Sequence, residues 1–162
     1  MSHAPPTLHI VCGKIASGKS TLAAKLGQET ATIVISEDEW LKALFADKMT
    51  TISDYVRCMA KLREVMAPHI VSLLQAGVSV VLDFQANTVE ARSWMRRIFE
   101  QADASHVLHV LDVSDTVCLD RLRSRNAKGD HPFNVTEAQF HKISRHFVQP
   151  SPEENFNILL HN

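Results

Sequence analysis

The stretch LHIVCGKIASGKSTLAAKLG, residues 8–27, decides how the rest of the chain is read. Residues 7–12 (TLHIVC) form an apolar run of strand length that stops at Gly13. A helical pattern then runs from Ser20 to Leu26, with Leu22 and Leu26 on one face and Gly27 as its stop signal. Two glycines and two lysines separate strand from helix, so the most pliable backbone of the stretch lies against a buried element. A connecting turn alone does not call for that composition.

Working outward, residues 32–35 (TIVI), 78–83 (VSVVLD), 106–112 (HVLHVLD) and 156–160 (FNILL) read as further short, β-branched or apolar strands. The segments between them carry helix signals. Ser36 with Glu39 forms a capping box for a helix to about Ala46, and Ser53 caps a long one reaching Ala76, where Pro68 should kink or split it. Asn87 with Glu90 opens a helix to about Gln101 that carries Trp94 and Ile98 on one face. Asp115 caps a helix to Arg125, residues 126–135 form an exposed loop, and Thr136 with Gln139 opens a last helix to about Val148.

Strands alternating with helices predict a doubly wound α/β fold: a five-stranded parallel sheet with helices on both faces. No repeat, low-complexity tract or linker divides residues 1–162, which read as one domain. Ligands of such sheets bind at the carboxyl ends of the strands. The chemically loaded residues fall there: Gly13 to Ser20 after the first strand, Asp38 after the second and Asp83 after the third.

Residues 13–20 (GKIASGKS) match G-x-x-x-x-G-K-[S/T] in the strand–turn–helix context that the pattern requires. Backbone amides from Gly13 through Lys14, Ile15, Ala16, Ser17 and Gly18 can wrap a triphosphate at a helix N-terminus. Lys19 would reach the β- and γ-phosphates, the Ser20 hydroxyl would ligate Mg²⁺, and Thr21 completes the binding stretch. ATP and Mg²⁺ are the implied cofactors. Lys14 is equally consistent with a solvated loop lysine.

The chain lacks an Asn-Lys-x-Asp guanine motif, and Asp83 is followed by Phe84 rather than by the Glu usual in ring ATPases. The whole resembles the small P-loop kinases, in particular the AAA-type kinases related to zeta toxins, chloramphenicol phosphotransferase and polynucleotide 5′-kinase. The segments that carry the resemblance are the P-loop, ISEDEW (35–40), VVLDFQANT (80–88), CLDRLRSR (118–125) and FVQP (147–150). It implies a kinase-like strand order 2-3-1-4-5, a lid at about 121–135, and transfer of the ATP γ-phosphate to a hydroxyl of a small acceptor. An ATPase, or a nucleotide-binding module without an acceptor, is the alternative.

By that resemblance Asp38 binds the acceptor hydroxyl and takes its proton, although an acidic residue in a first helical turn also suits the helix dipole with no chemistry at all. Asp83 would hold Mg²⁺ through water or orient the acceptor. Arg121 and Arg125, one turn apart, would close over the transferring phosphate, with Arg123 on the opposite face. Pro150 would lie by the adenine. Trp40, Asn87 and Arg92, with Lys42, Tyr55, Arg57 and Arg96 nearby, are the candidate acceptor contacts. Polynucleotide kinases place an Arg where this chain has Leu41, which argues against a nucleic-acid acceptor.

Composition agrees with these readings. A hydrophobic share of 45% and a net charge of −1 fit a folded globular chain without a strongly basic surface. The N-terminal MSHAPPT lacks a basic region, no segment reaches the roughly 20 apolar residues of a membrane span, and Cys12, Cys58 and Cys118 are odd in number. These point to a reduced, cytoplasmic setting. None of the nine histidines joins a Cys/His set with zinc spacing, and His106 and His109, three apart in a strand, should face opposite ways.

Overall fold

In a computed structural model that describes residues 4–129 and 134–162, the sheet is parallel throughout, in the order β2-β3-β1-β4-β5. Strand β1 (Thr7–Cys12) lies at its centre, between β3 (Ser79–Asp83) and β4 (Ser105–Leu111); β2 (Thr32–Ser36) and β5 (Ile158–His161) form the edges. Pairing is in register along β1, with Leu8 opposite Val80 and His106, and Ile10 opposite Leu82 and Leu108. The central strand is therefore covered on both faces and reads as a nearly unbroken apolar run.

Alternation along β1 sends Leu8, Ile10 and Cys12 into the larger core. There they meet α3 (Ile52–Gln75) through Leu62, Met66 and Ile70, and α4 (Val89–Ala102) through Met95 and Ile98. Helix α1 (Lys19–Leu26) lies against β1, β2 and β3. It comes so close that a Cβ on Gly27 would stand 2.3 Å from the side chain of Val34. Helix α2 (Glu37–Phe45) begins directly where β2 ends. Cys118 and Leu122 of α5 (Asp115–Lys128) enclose a smaller core with Phe140 of α6 (Glu137–Ser144).

Several element ends differ from the sequence reading, each for a local reason. Thr51, not Ser53, caps α3, because Asp54 returns a carboxylate to the Thr51 amide and completes a capping box. Pro68 neither splits nor ends that helix, which continues to Gln75; the Ser72 hydroxyl donates to the Pro68 carbonyl. Thr88 caps α4 in place of Asn87, whose side chain is used elsewhere. Ser114 caps α5, and the helix runs on to Lys128 through part of the expected loop. Residues 130–133 of that loop lie outside the described residues. Helix α6 stops at Ser144 rather than Val148, and β5 starts at Ile158 rather than at residue 156.

His106 and His109 do face opposite ways. His106 stacks on Phe99 at 3.9 Å between ring centres, whereas buried His109 stands between His9 (3.0 Å) and His161 (2.9 Å), ring nitrogen to ring nitrogen. Each of the two contacts needs one N–H and one lone pair, so the row is satisfied with all three rings neutral. Among the described residues no group of three or more His, Cys, Asp or Glu is placed to hold a metal ion, and no helix is long and apolar enough to cross a membrane.

Burial pushes the His109 pKa down to about 4, reinforced by His9 and His161; burial lowers that of His9 as well, with Glu29 opposing it there. Between the unfolded value of about 6.5 and this lower one, the unfolded chain binds a proton that the folded chain refuses. Stability should be full above about pH 6.5 and fall as pH drops toward 4. Thermal melts at about pH 7 and pH 5 should show that loss, on the order of 2 kcal/mol, and His109→Gln should flatten it.

Candidate active site

Where β1 ends, the chain turns through residues 13–18 and enters α1. Gly13 is buried, and a Cβ there would stand 2.5 Å from Ser17 Oγ. Gly18 is the N-cap of α1 with φ of +102°, a conformation that L side chains rarely adopt. These two positions need glycine for separate reasons, close approach and backbone geometry.

The loop is held from several sides. Lys19 Nζ donates to the Gly13 and Lys14 carbonyls at 2.7 and 2.8 Å, so the ammonium lies folded over the turn. Lys14 forms an ion pair with Asp115 at 2.6 Å, tying the loop to the start of α5. From the same helix, Arg121 donates to the Ser17 carbonyl at 3.1 Å. Among the described residues the Ser17 hydroxyl is buried without a hydrogen-bond partner, as are Arg125 Nε, Asn126 Oδ1 and Ser144 Oγ away from the loop. Buried polar groups are normally satisfied, so an orphaned hydroxyl inside the loop itself fits a cradle that binds an anion.

The Ser20 hydroxyl donates to Asp83 Oδ2 at 2.9 Å. One hydroxyl and one carboxylate at a strand end make an all-oxygen donor pair, the chemistry that suits Mg²⁺. Lys19 is pushed to lower pKa by desolvation, against which Asp83 and Asp38 pull it upward. Asp38 likewise acts on Arg125, whose pKa burial lowers, and on Tyr55, whose pKa burial raises. Asp38 thus lies within electrostatic reach of both Lys19 and Arg125. The structure brings Lys19, Ser20, Asp38, Asp83, Arg121 and Arg125 to one end of the sheet.

It does not bring every candidate. Arg92, read as a helix-surface acceptor contact, is fully buried. Its guanidinium is spent on Glu154, through Nε at 2.8 Å and Nη2 at 3.0 Å, and on the Ala86 and Val148 carbonyls through Nη1. Arg96 turns the same way, donating to the Glu154 carbonyl and to Glu100, with its head against Phe156. Asn87 faces the loop, accepting the Gly13 amide at 3.2 Å. Trp40 and Lys42 are exposed on α2, and exposed Arg57 pairs with Asp54 at 2.9 Å.

A cavity of about 360 Å³ opens beside the loop at the ends of β4 and β5, lined by Ser17, Leu111, Val117, Arg121 and His161 among others. Pro150 is not among its lining residues. Cys12, under the loop, has its pKa pushed up to about 11 by burial and is no nucleophile.

Sequence reasoning missed one pair altogether. Glu37 is 2% exposed and accepts from Arg63 Nε at 2.8 Å and Nη2 at 3.3 Å. The guanidinium lies 5.3 Å from the Trp94 ring centre and 5.9 Å from that of Phe84. Burial raises the Glu37 pKa, and Arg63 opposes the rise. The pair anchors α3 to the residue next to Asp38. A Glu in a first helical turn looks solvated in sequence, and a partner 26 residues away leaves no periodic signal.

Residues 8–150 match the AAA domain family. The chain belongs to it. Its fold is that of the P-loop kinases. A sugar kinase from Janibacter sp. shares 19% identity at a TM-score of 0.66, over 97% of this chain and 85% of its own. A gluconokinase from Sinorhizobium meliloti 1021 shares 17% at 0.60, over 98% and 84%. Chaetomium thermophilum Kti12, solved in complex with ADP-AlF3, shares 13% at 0.71, over 95% and 88%. No curated protein matches this AAA-domain chain.

Removing one partner of a buried ion pair strands the other charge. Arg63→Ala should therefore cost about 3–5 kcal/mol of stability in urea unfolding. The double variant Arg63→Met with Glu37→Gln should recover most of that loss, because no charge is left unpaired.

Proposed function

We propose that this protein is an ATP-dependent phosphotransferase that moves the γ-phosphate to a hydroxyl of a small-molecule acceptor. The observation that carries the reading is the placement of Asp38, in the first turn of α2 just past the end of β2 and in electrostatic reach of both Lys19 and Arg125. A nucleotide switch needs cations around phosphate but no carboxylate facing them. A kinase needs one to hold the incoming hydroxyl and accept its proton.

In this reading the amides of residues 13–20 and Lys19 bind the triphosphate, and Lys19 leaves the Gly13 and Lys14 carbonyls to reach it. Ser20 and Asp83 hold Mg²⁺, which when bound screens the phosphate charge. The 360 Å³ cavity beside Arg121 takes the base. Arg121 and Arg125 neutralise charge as the phosphoryl group moves, and Asp38 orients the acceptor oxygen in line with it. Trp40 and Tyr55 border the acceptor side. Leu41 is fully buried, so no side chain from that position reaches an acceptor, which favours a small molecule over a polynucleotide end. The sugar kinase and gluconokinase among the structural neighbours support a sugar-like hydroxyl compound as the first class to test.

Two variants test the reading. Lys19→Ala should abolish detectable ATP·Mg²⁺ binding in calorimetry while the fold persists. Asp38→Asn should bind ATP·Mg²⁺ within a few fold of the parent, yet transfer phosphate to the acceptor found by screening hydroxyl compounds about 10²- to 10⁴-fold more slowly. Brisk acceptor-free hydrolysis that is equal in the parent and Asp38→Asn would identify an ATPase and overturn the kinase reading.

A further inference from the structure

The side chain of Asn87 occupies a place that neither nucleotide nor acceptor chemistry explains. Backbone pairing of β1 ends at Ile10 on the β3 side and at Cys12 on the β4 side. Gly13 carries the first amide beyond the ladder, and Asn87 Oδ1 accepts it at 3.2 Å while lying 3.6 Å from the Cys12 thiol. A side chain takes over where the neighbouring strand stops.

Asn87 is itself held from behind. Its backbone carbonyl accepts the Val148 amide at 2.8 Å. The Arg92 Nη1 donates to the carbonyls of Ala86 (2.8 Å) and Val148 (2.9 Å) on either side of that bond. Glu154 grips the rest of the guanidinium and accepts the Ser151 amide at 2.9 Å. A fully buried arginine, a carboxylate 62 residues from it and two carbonyls thus converge on the backbone that carries the Asn87 side chain.

We propose that Asn87 is a positioning residue for the phosphate loop: through the Gly13 amide it fixes where the 13–18 turn begins, so that the amides beyond it are aimed before phosphate arrives. The proposal rests on the nucleotide reading above. Donors held in place beforehand bind an anion without the ordering cost that a loose loop carries. Gly13 packs against Ser17, so a shift at the first residue of the turn moves the far side as well. Without its acceptor the Gly13 amide turns to water and the turn loosens. The loss falls on phosphate contacts, hence alike on ADP and on inorganic tripolyphosphate.

The test is Asn87→Ala, with calorimetric affinities for ADP·Mg²⁺ and tripolyphosphate and amide hydrogen exchange at Gly13. Each affinity should fall roughly tenfold, the size of one lost hydrogen bond, and Gly13 exchange should accelerate. A residue that only supports the fold would lower the melting temperature and leave both affinities of the folded protein unmoved. That result overturns the proposal. If Asn87→Ala does not fold, Glu154→Gln decides, because it keeps size and one acceptor oxygen while loosening the grip on Arg92. A loss of about threefold in both affinities with faster Gly13 exchange is then expected, and no change in either overturns the proposal. A parent protein that binds neither ADP·Mg²⁺ nor tripolyphosphate would overturn the nucleotide reading itself, an outcome distinct from a parent that binds and a variant that binds equally well.

Discussion

Strand β1 pairs on both edges, with β3 and with β4, and this double pairing fixes where active groups can stand. A strand locked on two sides and buried on two faces cannot shift register without moving apolar residues out of the core. The chain must therefore leave the sheet at Gly13, in the middle of its carboxyl edge, with the ends of β2, β3, β4 and β5 around it. Every group in the candidate site is delivered from one of those ends. Ser20 meets Asp83 because α1 returns over β3, and Arg121 meets Ser17 because α5 rises from the end of β4.

Charge at this edge is arranged in layers. Nearest the loop are Lys19, over the turn, and Arg121 of α5; Arg125 of the same helix lies within electrostatic reach of Asp38. Opposite them are two carboxylates, Asp38 and Asp83. Behind these lie charges neutralised within the protein, Glu37 by Arg63 and Arg92 by Glu154. Buried pairs of this kind contribute little net stability, since desolvation offsets attraction, but they tolerate few alternative arrangements. One pair lies next to Asp38 and the other behind Asn87, which accepts the Gly13 amide.

Hydrogen-bonding capacity is spread unevenly in the same way. The Ser17 hydroxyl is left without a partner in the loop, whereas behind it Arg92 meets two carbonyls and both oxygens of a carboxylate. Unsatisfied groups are costly in a low-dielectric interior, so they persist where a ligand can satisfy them. The histidine row across β1, β4 and β5 is satisfied internally, each ring nitrogen in contact facing another.

What residues 8–27 determined by themselves was the local chemistry: a buried strand, a glycine turn and a helix start carrying lysine and serine. The alternation of strands and helices gave the parallel sheet, because hydrophobic periodicity is a property of neighbours in sequence. The order 2-3-1-4-5 came with the resemblance to P-loop kinases. The fate of individual polar side chains was decided by tertiary structure. Arg92 and Arg96 have the same spacing on a helix as surface arginines, and only the return of residues 148–154 against α4 buries the first and partly covers the second. Asn87 looked like a cap and a substrate contact, until the end of β1 placed an unpaired amide within its reach. Glu37 and Arg63 carry no mark of burial in sequence, since a charge is buried only when a partner from elsewhere in the chain arrives to satisfy it.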